Sequence, residues 1–276
     1  MRIGFIGAGR MASAIVRGLL NTNAITPTDI LITGRTDDGS KDSFLNNFPE
    51  CQNCWRNSTQ ETITDVDTIL LAVKPQQMND VLPTIKSSST VSSALIISIA
   101  AGITLDYLEK HLMEKARIIR TMPNTPLLLG EGATAYAVNQ YALDSDKVIT
   151  EDIFRAVGLV FEVEEKQLDA VTALSGSGPA YFYLFIEALQ QAAIKHGLDP
   201  DIALKLANQT AKGASLMIEN SEKSPEYLID QVKSKGGTTE AALNSFSEHS
   251  FSEIIEKAFQ AAHNRSIELG KNLKSK

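Results

Sequence analysis

The stretch that most constrains this chain is its opening, Ile3-Gly4-Phe5-Ile6-Gly7-Ala8-Gly9-Arg10-Met11-Ala12, in which an apolar strand runs through G-x-G-x-x-A straight into a helix. Each small residue has a physical task. Gly7 permits the tight turn, Gly9 lets a pyrophosphate approach the backbone, and Ala12 lets helix and strand pack closely. The helix start at Arg10 and Met11 offers N–H donors and positive potential to phosphate. Gly7, Ala8, Gly9, Arg10, Met11 and Ala12 are therefore the candidate dinucleotide-binding turn.

Downstream, the chain carries the pattern such a turn requires. Short apolar strands at 2–6, 30–33, 68–73, 95–99, 117–121 and 133–138 alternate with helical stretches near 11–20, 40–47, 76–85 and 105–114. This is the signature of a doubly wound α/β domain, a mostly parallel sheet with helices on both faces. Past residue 162 the strand signals stop and the rest reads as helical. The expected organisation is a dinucleotide-binding domain over 1–162 and an all-helical domain over 163–276 that binds substrate and dimerises. At 43% hydrophobic and 21% charged residues the composition is that of an ordinary globular protein.

Twenty-six basic against 33 acidic residues give a net charge of -7, with no Lys/Arg block, which argues against nucleic-acid or anionic-membrane partners. No apolar run approaches the roughly 18 residues of a membrane span, and the short apolar N-terminus is not a signal peptide. The two cysteines, Cys51 and Cys54, sit among four scattered histidines without ligand spacing, so no metal is expected. They read as reduced thiols of a cytoplasmic protein, with Cys54-Trp55 in a strand.

The second strand ends Thr33-Gly34-Arg35-Thr36, with no acid to meet a ribose hydroxyl. Arg35 and Thr36 suit a 2′-phosphate, so NADPH is the expected cofactor and NADH a second candidate; Arg35 has an alternative role as a shelf for adenine. Further cofactor contacts are expected where strands end: Ala72, Val73, Lys74 and Pro75; Ala100, Ala101 and Gly102; and Asn124. Lys74 is also a candidate proton donor, against a purely positional role.

In the second half, Ser175-Gly176-Ser177-Gly178-Pro179 lacks the glycine a nucleophile elbow needs and reads as a flexible helix start near the active-site cleft. Ser234-Lys235-Gly236-Gly237-Thr238-Thr239 opens another helix with glycines, hydroxyls and N–H groups, a carboxylate-sized anion site. Gly236, Gly237 and Thr238 are candidate substrate contacts, with Ser175 and Glu222 as further candidates. The stretch 180–186 is wholly apolar or aromatic, and Phe251, Ile254, Ile255, Ala258, Phe259, Ala262, Ser266 and Leu269 form a helical stripe with Gly270 as the expected stop. So much apolar surface on a short helical segment favours packing between subunits.

Together, the opening motif, Ala72-Val73-Lys74-Pro75-Gln76, Met122-Pro123-Asn124-Thr125-Pro126, Ser175-Gly176-Ser177-Gly178-Pro179-Ala180 and Gly236-Gly237-Thr238-Thr239 resemble pyrroline-5-carboxylate reductase, in order and spacing. The signature running from Pro225 through Gly237 and Thr239 to Ala241-Ala242-Leu243 is its most specific part. The resemblance implies reduction of a cyclic imine, 1-pyrroline-5-carboxylate, to proline by NAD(P)H. It also implies a homodimer through interlocked C-terminal helices, with a decamer as the larger assembly. Thr239 is then the catalytic contact, with the backbone of Gly237 and Thr238 cradling the carboxylate. Two departures stand out: Lys235 replaces a usual proline and Glu240 a usual apolar residue. The competing functions are an NADP-linked reductase of a small 2-keto or 3-hydroxy acid and a non-catalytic dinucleotide sensor.

Overall fold

The computed structural model describes residues 1–35, 37–88 and 93–274. Among them seven strands form one sheet: β1 (Ile3–Ile6), β2 (Ile30–Thr33), β3 (Thr68–Leu71), β4 (Leu95–Ser98), β5 (Arg117–Met122), β6 (Gly132–Val138) and β7 (Gly158–Glu162). The helices are α1 (Arg10–Asn21), α2 (Ser40–Asn47), α3 (Thr59–Thr62), α4 (Met78–Ser87), α5 (Leu105–His111), α6 (Asp144–Arg155), α7 (Leu168–Val171), α8 (Gly178–Lys195), α9 (Pro200–Ser221), α10 (Pro225–Val232), α11 (Thr238–Glu248) and α12 (Phe251–Lys274). The sheet order is β2-β1-β3-β4-β5-β6-β7, parallel through β5, with β6 antiparallel to β5 and β7 parallel to β6.

Strands β1 to β5 are largely apolar because both faces are covered. Side chains alternate between two separate cores. Ile3, Phe5, Ile30, Ile32, Leu70, Leu95, Ile97 and Ile119 join Ala12, Ile15, Val16 and Leu19 of α1 and Phe154 of α6 on one face. Ile6, Leu31, Ile69, Leu71, Ile96 and Ile118 join Met78, Leu82 and Ile85 of α4 and Leu105 and Leu108 of α5 on the other.

By its contacts the chain divides into two compact units, one of Met1–Ser177 with the residues from Ala262 on, and one of Gly178–Ala261. In the second, Asp199 caps α9 by accepting from Asp201 N–H at 2.9 Å and Ile202 N–H at 3.1 Å. Phe251 lies against Phe185 and Phe246, with ring centroids 6.3 and 5.1 Å apart. The apolar run of α8 faces outward in the single chain, with Phe182, Tyr183 and Leu184 all about two-thirds exposed. Among the described residues no helix is long and apolar enough to cross a membrane.

Several expectations need correction. Cys54-Trp55 is not a strand; Trp55 makes one parallel bridge to Ile32 at the sheet edge, preceded by a turn. Helix α6 and strand β7 lie between residues 138 and 163, where the sequence reading assigns no element. Asp146 of α6 is fully buried against Arg117, and on β7 the apolar Leu159 and Phe161 are exposed, so polarity misleads in both. Ser175-Gly176 is not a flexible start but part of a π-helical turn, Thr172–Gly176, that leads toward α8. Gly270 does not end the last helix, which runs on to Lys274. Its lack of a side chain serves close packing: an added Cβ would lie 3.3 Å from the Gly102 carbonyl oxygen.

Candidate active site

The turn after β1 is built by the sheet itself. Gly7 N–H donates to the Thr33 carbonyl of β2 at 2.8 Å and Ala72 N–H to the Ile6 carbonyl at 2.8 Å, which ties the turn between both neighbours of β1. Gly7 has φ +111°, and a Cβ there would meet the Ala72 carbonyl oxygen at 2.6 Å, so only glycine fits. Gly9, the N-cap of α1, has ordinary φ and ψ, yet open space where its Cβ would be and no side-chain cap. The first turn of α1 therefore presents N–H groups of Arg10, Met11 and Ala12 with no acid in that turn. An open cradle of backbone donors against a wall of bare backbone fits a pyrophosphate.

Around this turn the structure gathers several of the expected residues. Gly34, directly after β2, passes so close to Ala8 that an added Cβ would lie 3.0 Å from the alanine Cβ and 3.2 Å from Trp55 Cη2. Arg35 follows. Its Nε donates to Asp37 Oδ1 at 2.9 Å and its Nη2 to Asp37 Oδ2 at 2.6 Å. This mutual contact holds the guanidinium above its usual pKa and the carboxyl below its own. Thr36 lies outside the described residues. Ala72 and Val73 are half-buried beside Gly7, while Lys74 is exposed and its backbone N–H donates to Gln77 Oε1 at 3.1 Å. Past β4, Ala100 N–H donates to the Ser98 hydroxyl at 3.4 Å, and Ala101 leads into Gly102 at φ +77°.

Asn124 is buried and structurally committed. Its Nδ2 donates to the Ser175 carbonyl at 3.0 Å and its Oδ1 accepts from Ala133 N–H at 2.8 Å, while Ser175 Oγ donates to the Val171 carbonyl at 3.1 Å. These two residues brace the π-helical turn. Glu222 is exposed at the end of α9 with φ +53°.

In the other unit, the left-handed residue of the glycine turn is Gly236, at φ +73°, and not Gly237, which is extended at φ -85° and caps α11. Two of the turn's N–H groups are engaged: Gly237 donates to the Ser234 carbonyl at 2.9 Å and Gly236 to Glu240 Oε2 at 2.7 Å. The donors that α11 offers by its geometry are those of Thr238 and Thr239, at its first two positions. Sequence reading missed both Glu240 as a partner of Gly236 and Asp37 as a partner of Arg35. The spacing of four in one case and two in the other was the available signal.

Comparison with known proteins covers both units. Residues 165–269 match the family model described as pyrroline-5-carboxylate reductase dimerisation, and residues 2–102 match one described as NADP oxidoreductase, coenzyme F420-dependent. Pyrroline-5-carboxylate reductase of Methanosarcina acetivorans is 39% identical over 272 residues, 98% of each protein. The solved structure of a pyrroline-5-carboxylate reductase from Coxiella burnetii is 39% identical with a TM-score of 0.89, covering 97% of this chain and 98% of that one. The pyrroline carboxylate reductase of Plasmodium falciparum, solved with NADP bound, is 36% identical with a TM-score of 0.86 and 98% coverage of both chains.

Proposed function

The chain belongs to the pyrroline-5-carboxylate reductase family, and from that premise we propose how its own residues carry the family's reaction. The protein reduces 1-pyrroline-5-carboxylate to proline, with NADPH as reductant. The observation that carries this reading is the full-length match, which takes in both the Gly7 turn and the Gly236–Thr239 turn.

The cofactor, when bound, supplies the hydride that reduces the carbon of the C=N bond. Gly7, Gly9 and the start of α1 would hold its pyrophosphate and Arg35 its 2′-phosphate, with the segments after β3 at Ala72-Val73 and after β4 at Ala100-Ala101-Gly102 as further contacts. The N–H groups of Thr238 and Thr239 take the substrate carboxylate, with the dipole of α11 behind them. The hydroxyl of Thr239 hydrogen-bonds the ring nitrogen and stabilises the amine as it develops. A protonated imine is already electrophilic, so positioning supplies most of the rate and neither a metal nor a covalent nucleophile is required. Lys74, three residues past β3 and directly before the turn at Pro75, is a positional residue in this reading.

The matched dimerisation region makes the chain a homo-oligomer. The outward apolar face of α8 supports a dimer through the C-terminal helices, and a decamer is the larger assembly we infer. Two buried free cysteines support a reducing, cytoplasmic setting.

Steady-state kinetics of Thr239→Ala test the assignment. Turnover falls roughly tenfold to a thousandfold, as expected for one stabilising donor, while NADPH affinity is kept and Thr239→Ser recovers much of the loss. Parent turnover with unchanged substrate affinity would move the role to another residue.

A further inference from the structure

Arg35 directly follows Gly34, which lies close against Ala8 of the phosphate turn, so its fork is the charged group after β2 that the ribose end of a bound dinucleotide would meet. The fork is already engaged. Asp37 holds it through two parallel hydrogen bonds, 2.9 and 2.6 Å long, the geometry in which guanidinium also grips a phosphate. Both side chains are well exposed, at 60% and 65%, so water screens the pair and a stronger anion can displace it. Asp38 makes no hydrogen bond to the fork and acts on Arg35 only through space, as the smallest influence on it. Its Oδ1 accepts from Ser40 N–H at 3.0 Å and from the Ser40 hydroxyl, which turns it toward the start of α2.

A phosphate that takes the fork leaves the Asp37 carboxylate unpaired and tethered two residues away, where it repels the incoming charge. A ribose with a free 2′-hydroxyl meets no such repulsion and can donate to a carboxylate. We propose that Asp37 is a specificity-determining residue that narrows this chain's preference for the 2′-phosphorylated cofactor by competing with that phosphate for Arg35. This rests on the reading of Arg35 as the phosphate partner.

The test is equilibrium binding, measured by calorimetry at low salt with NADP⁺ and NAD⁺ titrated into the parent, Asp37→Ala, Asp37→Asn, Arg35→Ala and Arg35→Ala/Asp37→Ala proteins. Quenching of Trp55, the single tryptophan of the chain, gives an independent readout of occupancy. Removing the carboxylate should tighten NADP⁺ about threefold to tenfold, leave NAD⁺ within about twofold or weaken it, and lose its effect as salt rises. In the Arg35→Ala background the gain should shrink by at least half, since the contested fork is gone. NADP⁺ affinity that is unchanged or weaker in both Asp37 variants, or a gain shared equally by both cofactors, overturns the proposal. If Arg35→Ala weakens NADP⁺ selectively while the Asp37 variants do nothing, the role of Asp37 fails and that of Arg35 stands. Equal weakening of both cofactors by Arg35→Ala overturns both.

Discussion

At the scale of single residues, side-chain type was legible in the sequence and engagement was not. That Arg35 sits where an acid would otherwise meet the ribose follows from strand length and spacing; that Asp37 grips it depends on how an irregular segment folds back. The same holds for Glu240, which stands out in the sequence only as a charge near an anion site. In the structure it accepts from Gly236 N–H and places a carboxylate in the turn assigned to the substrate's own carboxylate. Glu240→Gln keeps an acceptor there and removes the charge, so the KM for pyrroline-5-carboxylate should fall about threefold with turnover little changed, the size expected for a screened like-charge contact. An unchanged KM would show that the substrate carboxylate binds elsewhere. Cys51 and Cys54 give a second residue-scale prediction. Burial pushes both thiols up and almost no surface of either is exposed, so a thiol reagent should label neither in the folded protein and both after denaturation. Rapid labelling of the native state would contradict that.

At the scale of elements, strands β1 to β5 were readable because they are buried on both faces and flanked by turn residues, which makes short continuous apolar runs. Helix α6 and strand β7 were missed although Ile149, Ile153 and Phe154 of α6 stand at helical spacing against the core; the polar first turn of that helix, with Asp146 buried, and the shortness of β7 diluted the signal. The glycine turn after β1 separates structural from binding roles in a way substitutions can resolve. Gly7→Ala forces a side chain onto the Ala72 carbonyl in a backbone region alanine avoids, so denaturant unfolding should show a loss of roughly 2–3 kcal/mol. Gly9→Ala meets open space at ordinary φ and should leave stability within about 0.5 kcal/mol, yet weaken the dinucleotide about tenfold or more by filling the pyrophosphate approach. Equal stability losses in the two variants would contradict this division of roles.

At the scale of the whole molecule, the doubly wound sheet followed by helices was plain from the periodicity, and the apolar excess of the second half already asked for a partner surface. The structure locates that excess. Phe182, Tyr183 and Leu184 of α8 and Ile254 and Ile255 of α12 lie open to water in the single chain, more apolar exposure than a soluble monomer ordinarily carries. Sedimentation at micromolar concentration should accordingly find no folded monomer, and an active monomer would refute assembly through these helices. The register of the glycine turn, with Gly236 rather than Gly237 left-handed, could not be read from two adjacent glycines of equal freedom. The most direct measurement of the whole account is NADPH oxidation by the purified protein, followed by absorbance with pyrroline-5-carboxylate beside a panel of small 2-keto acids, with product analysis. Rapid oxidation with the imine alone and proline as the product is the expected result. Turnover of a keto acid with none of the imine would contradict it.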